Sequence, residues 1–252
     1  MGVAIVTGAQ QGMGKAIALA LAAEGYDVAA VDLQKTPRLD EVVTACAAKG
    51  VKAFGFACNI GDIATHTRLL DEVEDALGAV TTLVNNAGVS VKVRGDLLDV
   101  TPDSYDHCLN INTRGTFFLT QAFAKRLRDS VTVCHRSIIN ITSANASAVS
   151  IARGEYCISK AGASMMSKLF AARLSDEDIG VYEVQPGFID TEMVAPSKAK
   201  YDALIEGGLT VIKRFGKPEE VARIVVTLAN GLLPYTSGQA IQADGGLLTV
   251  RY

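Results

Sequence analysis

Short apolar runs alternate with stretches of helical period along nearly the whole chain, and few folds accommodate that alternation. The runs at 3–7, 27–31, 52–57, 82–84, 137–141, 181–184 and 240–242 read as strands. Between them, 15–24 carries Ile17, Leu19, Ala20 and Ala23 at helical spacing, with Gly25 placed as a C-cap. The stretch 63–77 ends at Gly78 in the same way, and Thr101-Pro102 opens another helix with a cap residue and a first-turn proline. Strands separated by helices must be joined by crossovers, so they run parallel with helices on both faces. The expectation is an α/β fold: a single Rossmann-like, doubly wound parallel sheet of about seven strands over 1–252. No Pro/Gly/Ser linker, repeat or low-complexity tract divides it.

Composition narrows the function classes. The chain has 252 residues, 49% hydrophobic and 20% charged, enough to bury a sizeable core and far from disordered or collagen-like chains. With 24 basic and 27 acidic side chains and no Lys/Arg-rich run, a nucleic-acid partner is not expected. The five cysteines (Cys46, Cys58, Cys108, Cys134, Cys157) are odd in number and lack CxxC spacing, which argues for reduced thiols and against a bound metal. The apolar run at 3–6 is too short for a signal segment or membrane span, and Val6 stands where myristoylation wants Ser or Thr. A cytoplasmic protein with no membrane partner is expected.

After the first strand comes Thr7-Gly8-Ala9-Gln10-Gln11-Gly12-Met13-Gly14, and a helix follows at once. Glycines there permit a tight turn and close approach of backbone N–H groups to a pyrophosphate, while the helix N-terminus supplies unpaired donors. Asp32 closes the second strand, where a carboxylate accepts hydrogen bonds from an adenosine ribose. Farther on, Tyr156 and Lys160 stand four apart in a stretch that reads as helix through Leu174, so phenol and ammonium share a face. A cation beside a phenol favours its ionised form, as a general acid/base requires. Ser143 lies just beyond the strand at 137–141, on the carboxyl edge where parallel sheets bind ligands.

These pieces, with NNAG at 85–88, Asn112 in INTRG, PGFIDT at 186–191, RFGKPEEVA and SGQAIQADGG, resemble the short-chain dehydrogenase/reductase superfamily over essentially the whole chain. The look is of its short branch, similar to 3-oxoacyl-acyl-carrier-protein reductases and sugar or polyol dehydrogenases. The resemblance implies a catalytic set of Asn112, Ser143, Tyr156 and Lys160. Tyr156 would give or take the hydroxyl proton. Lys160 would ease that and hold the nicotinamide ribose, Ser143 would hydrogen-bond the reacting oxygen, and Asn112 would bind a relay water. It also implies a dinucleotide lying against Gly8, Gln11, Gly12, Met13 and Gly14, with Asp32 and Leu33 at the adenosine ribose. Asn59 and Ile60 would flank the adenine, Asn59 replacing the family's usual Asp. Asn86, Ala87 and Gly88 would border the riboses, and Pro186, Gly187, Ile189 and Thr191 the carboxamide.

The cofactor expected is NAD rather than NADP, because a 2′-phosphate would meet the Asp32 carboxylate. Lys15, Lys35 and Arg38, the nearest cations, read as solvated. A lid is expected over 192–212. Ser143, Asn145, Arg153 and Tyr156 are expected to face the substrate. Lys92, Arg94, Asn145 and Arg153 together would favour an anionic or polyhydroxylated substrate, although solvated basic side chains are the plainer reading. The stretch 128–136, with Cys134 and His135, reads as a surface loop. Three functions compete: NAD-dependent oxidation of a secondary alcohol, possibly a sugar or polyol; ketoreduction of a 3-oxoacyl carrier substrate; and a non-catalytic NAD(H)-sensing module. A homotetramer is expected from the resemblance and from the apolar end Leu247, Leu248, Val250, Tyr252.

Overall fold

A computed structural model describes residues 2–130 and 132–250. Strands β1 (Val3–Thr7), β2 (Asp27–Asp32), β3 (Ala53–Ala57), β4 (Val80–Asn85), β5 (Arg136–Ile141), β6 (Ile179–Pro186) and β7 (Ala240–Ala243) form one sheet in the order β3-β2-β1-β4-β5-β6-β7. Every pairing is parallel. Strand alternation feeds two cores. Ala4, Val6, Val28 and Ala30 face one layer, with α1 (Gly12–Ala23), α2 (Pro37–Ala47) and α8 (Pro218–Ala229). Val3, Ile5, Ala29 and Val31 face the other, with α3 (His66–Leu77), α5 (Thr116–Asp129) and α6 (Gly154–Arg173). A helix such as α1 is held by its apolar stripe: Ile17 and Leu21 are fully buried, each contributing about 1.5–3 kcal/mol.

Helix ends follow local chemistry. Thr101 caps α4 (Pro102–Leu109) by accepting from the Ser104 N–H, and Gly78, at φ 89°, ends α3 in a backbone region that side chains avoid. Three boundaries differ from expectation. The α1 helix starts at Gly12, inside the glycine turn. The 63–77 stretch divides into a 3₁₀ turn at Ile63–Thr65 and α3. The residues between α4 and α5, Asn110–Gly115, form a π-helical turn that hydrophobic period does not reveal.

The 128–136 stretch is not simply a surface loop. Helix α5 runs to Asp129 and Arg136 begins β5, its Nη1 donating to the Leu127 carbonyl at 3.0 Å. His135 is half-buried, 6.4 Å ring to ring from Tyr182, because the chain must close onto β5 there. Among the described residues no helix is long and apolar enough to cross a membrane, no group of residues is arranged for a metal, and all five cysteines are free. The apolar end is half-buried at Leu247 and Leu248 and exposed at Val250; Tyr252 lies outside the described residues.

Candidate active site

Strand order reverses between β1 and β4, and at their carboxyl ends the flanking loops part to leave a cavity of about 330 Å³. The β1–α1 turn forms one wall. Gly8 and Gly12 hold φ of 65° and 52°. Gly14 serves packing instead: a Cβ there would lie 1.9 Å from the Gly8 carbonyl oxygen and 2.6 Å from Asn86 Nδ2. Asn86 braces the turn, its Nδ2 donating to the carbonyls of Thr7 at 2.9 Å and Gly8 at 3.1 Å. Gln11, the N-cap of α1, offers no side-chain cap, and no acidic residue occupies the first turn. Those N–H groups and the helix dipole therefore stay available to an anion such as a pyrophosphate.

Asp32 lines the same cavity and is fixed in place. Its Oδ2 accepts from the Gln10 backbone N–H at 3.1 Å; its Oδ1 accepts from Gln10 Nε2 at 3.1 Å and from the Leu33 N–H at 2.8 Å. Gln10 Oε1 in turn accepts from Thr36 Oγ1 at 2.7 Å. Of the neighbouring cations, Arg38 donates to Gln11 Oε1 at 3.0 Å and Lys35 sits 6.0 Å from the Phe56 ring centre, both exposed to solvent. Asn59 spends its Oδ1 on the Gly61 N–H at 3.0 Å, which leaves its amide nitrogen for a ligand.

Of the residues that the resemblance puts at the dinucleotide, Gln11, Met13, Leu33, Asn59, Ile60, Ala87, Gly88 and Thr191 line the cavity. Pro186, Gly187 and Ile189 do not. The β6–β7 pairing continues past the strand, Gly187 N–H donating to the Ala243 carbonyl at 3.1 Å, and the Ile189 side chain packs into the core. Gln10, Val31, Cys58, Val89 and Ile111 line it without having been singled out as cofactor contacts, and so do Glu192 and Met193. Met193 belonged to the expected lid, and Val89 follows the NNAG run directly.

The second half of the site is built on α6. Tyr156 and Lys160 lie one turn apart, both buried, with Lys160 Nζ 5.8 Å from the Tyr156 ring centre. Lys160 Nζ donates to the Ile141 carbonyl at 3.1 Å, at the end of β5. Two residues later Ser143 caps a 3₁₀ turn, Ala144–Ala146, its Oγ accepting from the Asn145 N–H at 3.1 Å. Asn112 sits in the π-helical turn. Its Oδ1 accepts from the Val89 N–H at 2.8 Å, and its Nδ2 donates to the Val89 carbonyl and to Ser159 Oγ, both at 2.9 Å. With both N–H groups committed, the side chain braces the loop after β4 against α6, and a relay water is left only acceptors on this residue. A Cβ on Gly88 would lie 3.1 Å from Asn112 Oδ1 and 3.4 Å from Lys160 Nζ, so the cavity and the α6 residues meet there. This arrangement places a phenol, an ammonium and a hydroxyl, groups able to transfer protons and hydrogen-bond, next to the cavity. Burial first, and Glu155 second, push the Cys108 thiol up to about 11.

Lys92 pairs with Asp103 and Arg94 Nη1 donates to Tyr201 OH at 3.3 Å, and both cations stay exposed to solvent. Tyr201 is on α7 (Lys198–Glu206), within the expected lid, and its ring rests 4.6 Å from that of Phe188. Arg153 Nη2 donates to Asn145 Oδ1 at 2.6 Å.

The family model described as enoyl-(acyl carrier protein) reductase matches residues 8–248. A 3-oxoacyl-[acyl-carrier-protein] reductase from Thermotoga maritima is 34% identical, over 98% of this chain and 97% of its own length. The crystal structure of a 3-oxoacyl-[acyl-carrier protein] reductase from Brucella melitensis in complex with NAD superposes with a TM-score of 0.96 at 41% identity, covering 100% of this chain and 98% of that one. A putative 2-deoxy-d-gluconate 3-dehydrogenase from Agrobacterium tumefaciens with bound NADP has a TM-score of 0.86 at 30% identity, covering 99% and 97%.

Proposed function

This chain belongs to the short-chain dehydrogenase/reductase family and is an oxidoreductase interconverting an alcohol and a ketone with a nicotinamide cofactor; we propose that it prefers NAD(H) and acts at carbon 3 of a carboxylic acid or its thioester. The observation that carries the cofactor preference is the Asp32 carboxylate, held by Gln10 and Leu33 in the wall of the cavity. A carboxylate so held accepts from ribose hydroxyls and repels a phosphate. The substrate class is supported by the similar proteins, whose names place the chemistry at carbon 3 of an acyl group or of a sugar acid. That ranks the 3-oxoacyl reading above simple sugars and polyols, reversing the order suggested by cofactor preference alone.

In this reading Tyr156 gives or takes the proton of the substrate hydroxyl, and Ser143 hydrogen-bonds the reacting oxygen and steadies the charge developing on it. Lys160, pinned between Tyr156 and the Ile141 carbonyl, positions the phenol and holds the nicotinamide ribose. Bound NAD(H) supplies the hydride acceptor or donor. The Gly8–Gly14 turn holds the pyrophosphate, and 192–212 closes over the substrate as a lid of one catalytic unit spanning 1–252. The complete Asn112, Ser143, Tyr156, Lys160 set weighs against a non-catalytic NAD(H) sensor, which has no use for a proton relay.

The test is NADH formation by the purified protein on 3-hydroxybutyrate, a 3-hydroxyacyl thioester, 2-deoxygluconate, xylitol and sorbitol. Turnover confined to the 3-hydroxy acids or thioesters is expected; turnover of the polyols alone overturns the reading. We also propose a homotetramer, for which light scattering at micromolar concentration should return four chain masses, and a monomer mass refutes it.

A further inference from the structure

Arg153 immediately precedes α6, three residues before Tyr156, and its guanidinium carbon lies 5.1 Å from the Tyr156 ring centre. Its Nη2 is tied to Asn145 Oδ1, and the Asn145 N–H is tied to Ser143 Oγ. The guanidinium is thus anchored to the turn that carries Ser143 and stacked on the ring of the proton-transferring residue. We propose that Arg153 receives a carboxylate of the substrate, so that the compound turned over is a free 3-hydroxy or 3-oxo acid rather than its thioester or an uncharged polyol. The substrate class, though not the carboxylate site itself, rests on the carbon-3 reading above.

The donor account leaves room for an anion. A guanidinium has five N–H donors. Asn145 engages Nη2, Nε is buried without an acceptor, and Nη1 makes no hydrogen bond among the described residues. The charge account agrees. Lys92 has Asp103, Lys198 has Asp190, Arg214 has Glu220 and Arg126 has Asp71 and Glu74, whereas no carboxylate lies within ion-pair distance of Arg153 among the described residues. Glu155, two residues on, is turned inward and accepts from Ser104 Oγ at 2.6 Å. A half-buried guanidinium without a counter-ion has lost hydration and regained little for it.

A substrate carboxylate supplies the missing counter-charge and takes the Nη1 donors, which no hydrogen bond engages among the described residues. In a 3-hydroxy acid one methylene separates the reacting carbon from the carboxylate. Arg153 stacks on the Tyr156 ring and is tied through Asn145 to the turn of Ser143, so a short acid whose reacting oxygen meets Tyr156 and Ser143 has its carboxylate on the same side as the guanidinium. A thioester carbonyl or a polyol hydroxyl in the same place takes only a weaker, uncharged hydrogen bond.

The experiment compares 3-hydroxybutyrate with methyl 3-hydroxybutyrate, which share the reacting carbon and differ in charge. NADH-loaded protein is titrated with each, followed by NADH fluorescence, and kcat/KM is measured with NAD. Wild type should favour the acid by about 10- to 100-fold in both readouts. In R153M that ratio should collapse towards one, and in R153K, which keeps the charge without the fork, it should be intermediate. NADH affinity in the same titrations reports that each variant is folded. Equal binding of acid and ester by wild type, or a ratio undiminished in R153M, overturns the proposal. If the acid binds selectively through Arg153 but neither compound is oxidised, Arg153 stands as a carboxylate receptor and the carbon-3 reading falls.

Discussion

Thr142 Oγ1 donates to Glu183 Oε1 at 2.6 Å, and this contact joins β6 to the end of β5 one residue before Ser143. Glu183 is fully buried, and its remaining partners are Gln185 Nε2 at 2.8 Å and Ser164 Oγ at 2.9 Å. Ser164 follows Lys160 by one turn of α6, so a single carboxylate fastens the helix of Tyr156 and Lys160 to the strand end that presents Ser143. Glu183→Ala takes the acceptor from Gln185 Nε2 and Ser164 Oγ, leaves Thr142 only its longer contact to the Val184 carbonyl at 3.3 Å, and opens a void besides. It should cost on the order of 3 kcal/mol in urea unfolding and lower kcat, while Glu183→Gln, which keeps the volume and an acceptor, should cost about 1 kcal/mol or less.

Tyr156→Phe removes one hydroxyl from a buried ring and leaves the glycine turn and Asp32 untouched. Turnover should fall by roughly 10²- to 10⁴-fold, the usual scale for one acid/base group, with NADH affinity unchanged in a fluorescence titration. A variant keeping a tenth of wild-type activity removes Tyr156 from that role.

A 2′-phosphate about 4 Å from the Asp32 carboxylate is repelled by roughly 4 kcal/mol at an effective dielectric near 20. Arg38, held on Gln11 at the rim of the turn, offsets part of this. The wild type should therefore favour NAD over NADP by about a hundredfold in kcat/KM, and Asp32→Ala should shrink the ratio sharply. Equal use of NADPH by the wild type would contradict the assignment.

Stability should fall on mild acidification. Burial holds His66 and His135 below the ordinary imidazole value of 6.5. The unfolded chain therefore takes up protons near pH 6.5 that the native chain refuses, and stability is lost as pH drops below that point. Glu220, held at about 2 chiefly by Arg214 and then by the Lys217 N–H, adds a separate loss only below about 4.5. The melting temperature should decline between about pH 7 and 5.5, and His66→Gln should flatten the decline. A melting temperature constant across that range would exclude the histidine contribution.

Much of the fold could be read locally. Every strand was legible to within two residues: the central ones, β1, β4, β5 and β6, because a strand buried on both faces is a short apolar run bounded by turn residues. The glycine turn was legible because positive φ leaves few residue choices, and Tyr156 with Lys160 because helical spacing alone puts them on one face. The π-helical turn that aims Asn112 was not. It is an extra residue in a helix, and it leaves no trace in hydrophobic period.

By itself, then, the sequence determined the element order, the glycine turn and the placing of Tyr156 and Lys160 on one helix face, since each is written in local pattern, and the parallel sheet followed from the strand-helix alternation. Only the tertiary structure decided which partners the polar side chains take. Gln10 lies 22 residues from Asp32, Glu183 lies 41 from Thr142, and Arg94 lies 107 from Tyr201. The same holds for cations that look alike in sequence: Lys92 meets a carboxylate, whereas Arg153 meets the Asn145 amide and, among the described residues, no carboxylate. Such pairings are set by where strands and helices pack, and local sequence carries no record of which side chain will be waiting across the gap.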